Sequence, residues 1–386
     1  MFDFDKIIPR KGSGCVKWDA KPPVEVDGDI IPLWVADMDF PAAPCIQKAL
    51  EERVAHGVFG YTIVQQGWYD SVCNWFKTRH GWALEPSQLL YTTGVVPGIA
   101  AVLKALTHPG EKVVILSPVY NCFFSCVRNV GCIVSDSPLK VVDGPRYEID
   151  FDDLERRCSD PSAKVLLFCN PHNPAGRVWT RKELETVADI ARRHGLTIVS
   201  DEIHCEITAP GVSYIPMATV TPCVALGSPS KAFNIAGLQM AFIATEDAAK
   251  RSAIDEAINM LEINMVNPFG PVAAQAAYSP EGAAWLDAVN AYIWDNYLLL
   301  RDTLGGEFPV FELEGTYLAW IDCRSFDMPS ARLEEELLRR ERVWVNAASM
   351  YGGEGYLRVN LAIPRPLLAE GLARLLRGLR SLKNAP

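Results

Sequence analysis

The sequence predicts an α/β protein, with a large domain built on a mostly parallel, helix-covered sheet and a smaller α/β domain after it. Three observations predict it. The short apolar runs KVVIL (112–116), KVLLF (164–168), TIVSD (197–201) and CVALG (223–227) recur with longer segments between them, an order that favours parallel strands joined by crossovers. One crossover carries clear helix start and stop signals. After about residue 280 the pattern changes to longer helical stretches rich in Trp, Leu and Arg, interrupted by two strand-like runs, GTYLAWI (315–321) and YLRVN (356–360). The expected division is an N-terminal segment, 1–46, that belongs with the small domain, a large domain over 47–280 and the C-terminal small domain over 281–386.

Taken in order, the turn TTGVVPG (92–98) precedes a helical run of small residues, IAAVLKA (99–105). Its backbone amides open a helix N-terminus, where a phosphate is well placed. Pro97 has no donor to lose in a first helical turn, which leaves Val95 and Val96 as the amide donors. Tyr120 follows the strand 112–116 and offers a flat face for a ring; an ordinary core tyrosine is the other reading. The loop NPHNPAG (170–176) joins a strand to the best-marked helix. There Thr180 and Glu183 fit a capping box, Leu184, Val187, Ala188 and Ala191 recur at helical spacing, and Gly195 is the stop. Asp201 closes the run 197–201, and Lys231 lies just beyond the run 223–227. Both therefore sit at strand C-terminal ends, the edge where ligands of open α/β sheets gather.

Composition excludes several classes. With 386 residues, 49% of them hydrophobic and 22% charged, the chain is globular with a sizeable core. A net charge of −10 argues against nucleic acid as a partner. MFDFDK at the N-terminus is no signal peptide, and no apolar run reaches the 18 or so residues that span a bilayer, so the expectation is a cytoplasmic protein without a membrane association. The eleven cysteines are an odd, scattered count without a Cys-x-x-Cys pair, which points to reduced, mostly buried thiols and no metal site. Cys122 and Cys126 are spaced for one helix face and read as packing. No repeat, low-complexity tract or charge block interrupts the pattern.

The chemistry rests on SPSK (228–231), thirty residues after Asp201. A pyridoxal cofactor needs a lysine for its Schiff base, an anion for its ring nitrogen and donors for its phosphate. Asp201 alone reads as a cap or surface carboxylate. Paired with Lys231, it reads as the partner that keeps a pyridine nitrogen protonated, which makes the ring an electron sink.

These residues carry a resemblance that runs nearly end to end. The segments WVADMDF (34–40), HGVFGY (56–61), GVVPG (94–98), NPHNPAGRVW (170–179), SDEIH (200–204), SKAFNIAGL (230–238) and GYLRVN (355–360) occur together and in order. The chain resembles the fold-type I pyridoxal-phosphate enzymes of the class I/II aminotransferase superfamily, and within them the MalY/PatB group of cystathionine β-lyases, or cysteine-S-conjugate β-lyases. The resemblance implies that Lys231 carries the cofactor, Asp201 meets the ring nitrogen, Asn173 bonds the ring hydroxyl and Tyr120 stacks on the ring. It implies that Val95, Val96 and Ser228 hold the phosphate, with Tyr61 reaching the cofactor of a neighbouring subunit, hence a homodimer with shared active sites. Arg358 would grip the carboxylate of a small amino-acid substrate, a task suited to a planar guanidinium.

Two positions depart from the broader aminotransferase pattern. Gln239 stands where a phosphate-binding arginine is expected, and His204 where a tyrosine is expected. His204 either bonds the ring hydroxyl or packs beside it. The implied reaction is α,β-elimination, with the freed lysine amine removing the α-proton and a thiol leaving, to give pyruvate and ammonia. Transamination on the same scaffold is the alternative. A role as a binding protein for a regulator and a cofactor-free structural relative are the others. Trp34, Asp37, Met38, Tyr317 and Trp320 are expected at the entrance, and which cysteine conjugate enters is not written in the sequence.

Overall fold

The computed structural model describes residues 2–142 and 144–383. The chain opens with α1 (Val16–Asp19), β1 (Ile31–Pro32), α2 (Pro44–His56) and α3 (Gln66–His80). β2 (Leu89–Thr92) then leads into α4 (Val95–Leu106), and β3 (Lys112–Ile115) into α5 (Asn121–Asn129). After β4 (Ile133–Asp136) come a hairpin of β5 (Lys140–Val141) and β6 (Tyr147–Glu148) and helix α6 (Phe151–Cys158). β7 (Ala163–Cys169), α7 (Arg181–Arg193), β8 (Thr197–Asp201), β9 (Val224–Gly227) and β10 (Ala241–Ala244) follow.

Seven strands form the central sheet in the order β2-β10-β9-β8-β7-β3-β4. Five neighbouring strands, from β9 to β4, run parallel, while β10 is antiparallel to both β9 and β2. Both faces are covered, which is why the strands read as continuous apolar runs. Val113, Ile115, Val165 and Leu167 pack in one core cluster with Ile99 and Val102 of α4, whereas Val114, Leu166 and Phe168 point into the other. Gly98 lets α4 lie close on the sheet: a Cβ there would sit 2.9 Å from Leu226 Cδ2 and 3.2 Å from Thr92 Cγ2. That close seat fixes where the N-terminus of α4 points.

Local signals are realised at α7. Thr180 Oγ1 accepts from the Glu183 amide at 3.3 Å, and Glu183 Oε2 accepts from the Thr180 amide at 2.7 Å. Gly195 ends the turn at φ +71°, a left-handed conformation that glycine adopts without strain. The strands expected over 112–116, 164–168, 197–201 and 223–227 are all present. β10 was not anticipated, and it is the one strand that breaks the parallel order.

The remainder is α8 (Ala248–Met260), α9 (Gly270–Ala277), α10 (Pro280–Leu304), β11 (Leu318–Asp322), α11 (Ser330–Glu341), β12 (Val343–Trp344), β13 (Asn346–Ala347), β14 (Tyr356–Asn360) and α12 (Arg365–Lys383). β11, β14 and β13 form an antiparallel sheet. The run expected over 315–321 becomes extended only at Leu318, because Thr316 stands at φ +69°. β1 pairs in parallel with β12, Ile31 opposite Val343, so the N-terminal segment is stitched to the C-terminal elements.

All eleven cysteines are free and seven are buried, Cys126 on α5 among them. Among the described residues, no helix is long and apolar enough to cross a membrane.

Candidate active site

Gly94 follows β2, Tyr120 follows β3, Cys169 ends β7, Asp201 ends β8 and Lys231 lies just beyond β9. All five line one cavity of about 430 Å³. Its other walls include Val95 and Val96 from α4, Asn173, His204, Arg358 of β14, and Trp34, Val35 and Ala36 of the N-terminal segment. The crossover connections thus bring residues far apart in sequence to one sheet edge.

Lys231 Nζ donates to the Ala36 carbonyl at 2.7 Å, and the Tyr317 hydroxyl donates to the same oxygen at 2.9 Å. Burial, helped by the Arg358 charge, lowers the lysine pKa to about 8. Asp201 is 3% exposed and accepts from the Ile203 amide at 3.1 Å. Burial raises its carboxyl to about 7, which marks a buried acid short of cationic company.

Arg358 is 4% exposed. It donates through Nη1 to Asn173 Oδ1 at 3.1 Å and through Nη2 to the Trp34 carbonyl at 2.9 Å, and its guanidinium lies 4.7 Å from the centre of the Tyr351 ring. Arg358 Nε is buried without a partner, and so is His204 Nδ1. Desolvation, with the charges of Lys231 and Arg358, pushes the His204 pKa well down, so the imidazole is neutral, standing edge-on to Tyr317 at 5.9 Å. Burial, chiefly, pushes the Tyr120 phenol up and keeps it protonated.

The N-terminus of α4 supplies the anion end. Its first intrahelical bond runs from the Gly98 amide to the Gly94 carbonyl, which leaves the Val95 and Val96 amides without helical acceptors. Lys231, Asp201, Arg358, Asn173, His204, Tyr120, Val95 and Val96 are therefore brought together.

Ser228 is not, and Tyr61, expected at the cofactor of a neighbouring subunit, lies away from this chain's own cavity. Ser228 is 2% exposed and off the cavity wall; its hydroxyl donates to the Met240 carbonyl at 2.6 Å and accepts from the Ser230 amide at 3.0 Å, bracing the loop that carries Lys231. Tyr61 is 97% exposed and lines a separate surface hollow with Arg53 and His56. Of the five residues expected at the entrance, only Trp34 lines the cavity. Met38, Tyr317 and Trp320 are core residues, 0%, 0% and 1% exposed, and Asp37 is held by Arg10 at 2.8 Å.

Sequence reasoning passed over the strap of residues 34–40 as a framework. Asn234, at φ +56°, accepts from the Met38 amide at 3.0 Å and donates to the Met38 and Phe40 carbonyls at 2.9 and 2.8 Å. Asn346 donates to the Trp34 carbonyl and to the Tyr351 hydroxyl. Lys17, fully buried, pairs with Asp39 at 2.7 Å. Outside this cavity His80, Cys205 and Glu206 converge; Glu206 Oε1 accepts from the Trp75 indole at 2.6 Å and meets His80 at 2.7 Å, and its Oε2 lies 3.5 Å from Arg79 Nε.

A doubly wound sheet with a lysine and an aspartate at its C-terminal edge, roofed by an antiparallel sheet that carries an arginine, defines the aminotransferase class of α/β proteins. The chain belongs to the aminotransferase class I and II family, which matches residues 29–375. It is 38% identical to cystathionine beta-lyase PatB of Bacillus subtilis, over 97% of this chain and 98% of that one. It is 33% identical to protein MalY of Escherichia coli, over 99% and 100%. The crystal structure of cystalysin from Treponema denticola, which contains a pyridoxal 5'-phosphate cofactor, superposes with a TM-score of 0.94 at 33% identity, over 99% of this chain and 100% of that one.

Proposed function

We propose that this chain is a pyridoxal-phosphate-dependent carbon–sulfur β-lyase, which cleaves L-cystathionine or a related L-cysteine S-conjugate with water to a thiol, pyruvate and ammonia. The observation that carries it is Arg358. This buried guanidinium has no carboxylate within 4.0 Å among the described residues, and it opens onto the cavity of Lys231 and Asp201. An uncompensated buried cation is costly, and a substrate carboxylate removes that cost with a fork-to-fork pair. Kinship with PatB, MalY and cystalysin supports elimination over transamination, as do Gln239 and His204 at the two positions where the broader pattern differs.

The residues present fit the cofactor. The Val95 and Val96 amides at the α4 terminus suit its phosphate. Tyr120 offers a face for its ring, and Asn173 and His204 suit its ring hydroxyl. Asp201 would meet its ring nitrogen, and a cation there would draw the carboxyl back down toward its ordinary range. When bound, pyridoxal phosphate supplies an electron sink for the pair left as Cα loses its proton. Lys231 acts at that carbon: a pKa near 8 gives it a substantial neutral fraction at physiological pH, as a base requires. Arg358 orients the α-carboxylate, so that the Cα–H bond and the Cβ–S bond are presented together. The proton leaves Cα, the Cβ–S bond breaks, and the sulfur departs with its electron pair.

Tyr61 belongs in this reading to the cavity of a second copy, which makes the enzyme a homodimer with shared sites. Its near-complete exposure, beside Val58, Phe59 and Ile63, each at least 52% exposed, supports an interface there. Pairing of β1 with β12 supports grouping residues 1–46 with 281–386, apart from 47–280. The eleven free cysteines agree with a cytoplasmic setting.

The test is pyruvate and thiol release from L-cystathionine and from S-ethyl-L-cysteine by the holoenzyme, with no 2-oxo acid added and Lys231→Ala as control. Equal pyruvate and thiol, absent in the variant, is the expected result. Turnover only after a 2-oxo acid is supplied would overturn the reading in favour of transamination.

A further inference from the structure

Resting on the lyase reading, the cavity also says which sulfur substituent it accepts. Among its described lining residues the Asp, Glu, Lys, Arg and His side chains are Asp201, Lys231, Arg358 and His204, the last held neutral. Each has a task in the reaction centre, and Arg358 is the single cation available to a carboxylate. Beyond them the wall is mainly apolar, with Val16, Trp34, Val35, Ala236 and Met350, and the polar side chains there, Asn121, Ser230 and Asn346, carry no charge. Val16 is 64% and Met350 45% exposed, large apolar surfaces left open at this cavity. Trp34 is held flat on Trp344, with ring centres 4.1 Å apart, and its indole donates to the Lys17 carbonyl at 3.1 Å.

The neighbouring cations are not free to serve. Lys17, next to Val16, pairs with Asp39 at 2.7 Å; Arg10 is bonded to Asp37 and Asp39 at 2.8 and 2.5 Å. A conjugate with a second amino-acid end brings an ammonium and a carboxylate into this outer region. Neither meets a counter-charge from this chain, and desolvating them without partners is unfavourable. An alkyl or aryl substituent gains from the same wall.

We propose that the preferred substrates are L-cysteine conjugates with apolar S-substituents, and that Val16 and Met350 set this preference against conjugates that end in a zwitterion, such as cystathionine and cystine. Each methylene buried on Val16, Trp34 and Met350 raises kcat/KM by up to about fourfold.

The experiment compares kcat/KM of the holoenzyme for S-methyl-, S-ethyl- and S-butyl-L-cysteine and for L-cystathionine, reading pyruvate. The expected result is a rise along the alkyl series, with S-butylcysteine about tenfold or more above cystathionine. In Met350→Arg, a cation is supplied at the wall, and the ratio of cystathionine to S-butylcysteine should rise about tenfold. Pyruvate from every conjugate, with cystathionine equal to or above S-butylcysteine, overturns this inference and leaves the lyase reading standing. No pyruvate from any conjugate sinks the lyase reading, and this inference with it.

Discussion

Arg358 and Asn173 meet through a single bond, Nη1 to Oδ1 at 3.1 Å, so a neutral amide and not an acid aims the guanidinium. With the Trp34 carbonyl on Nη2, the fork is fixed while its charge stays available. An aspartate at position 173 would pair with it and compete with any incoming carboxylate.

Arg358→Lys keeps the charge and loses the fork. A charge-assisted hydrogen bond is worth about 1.5–3 kcal/mol, so kcat/KM should fall about ten- to hundredfold, mostly through KM. Steady-state kinetics with thermal unfolding of the same sample checks it. An unchanged KM would remove Arg358 from the substrate.

Asn173→Asp tests the same relationship from the other side. The new carboxylate should neutralise Arg358, raising KM at least tenfold while the cofactor-free protein unfolds at a temperature no lower than the parent. A KM unchanged by the substitution would show that the pair does not form.

Asp201 gives a pH prediction with a definite sign. Its carboxyl rises from 3.8 to about 7 on folding, so between those values the folded state binds more protons than the unfolded one. Stability of the cofactor-free chain therefore falls as pH rises through that window, and the cost is fully present above it. Asp201→Asn should leave cofactor-free stability little changed near pH 4 and raise the unfolding temperature by a few degrees at pH 8, while activity drops a hundredfold or more. Unfolding followed across the pH range reads this; a variant less stable at pH 8 would show that the carboxylate is better compensated than its surroundings indicate.

How much of this was readable beforehand follows from how local each signal is. Thr180 with Glu183, Gly195, Asp201 and the 94–98 turn announce themselves because capping, termination and anion binding depend on a few adjacent residues. Lys231 and Arg358 were legible as chemistry, through the resemblance, but their company was not: the Ala36 carbonyl, Tyr317 and Asn234 contribute through backbone oxygens or from the core, which leaves no periodicity to read. Ser228 illustrates the same limit. The resemblance places Ser228 at the phosphate, and only the return of β10 beside β9 reveals the Met240 carbonyl that accepts its hydrogen bond. Tyr317 and Trp320 were placed at the entrance because aromatics there fit the resemblance, whereas register on β11 and the turn at Thr316 set them inside.

Asn234→Gly separates the strap from the chemistry. Glycine tolerates φ +56°, so the substitution removes three bonds to Met38 and Phe40 without adding strain. At about 1 kcal/mol each the loss is about 3 kcal/mol. The strap carries the Ala36 and Trp34 carbonyls, so KM should rise together with the fall in unfolding temperature. A stability loss with unchanged KM would mean that the other bonds to the strap, among them Asn346 to Trp34 and Lys17 to Asp39, hold residues 34–40 in place.

Tyr61 supplies the sharpest test of the assembly. Tyr61→Ala and Lys231→Ala should each be inactive or nearly so as purified homodimers. Mixed, dissociated and reassociated, half of the dimers carry one of each chain, and in those one site joins an intact Lys231 to an intact Tyr61 while the other has neither. Activity should then return to roughly a quarter of the wild-type value, the statistical limit for a two-fold symmetric pair. The restored activity must also disappear when the dimers are mixed without dissociation, since intact homodimers contain no complete site. Sites built wholly within one chain would give no such return, and Tyr61→Ala would then keep its activity, leaving its exposure to be explained by the 54–63 surface alone.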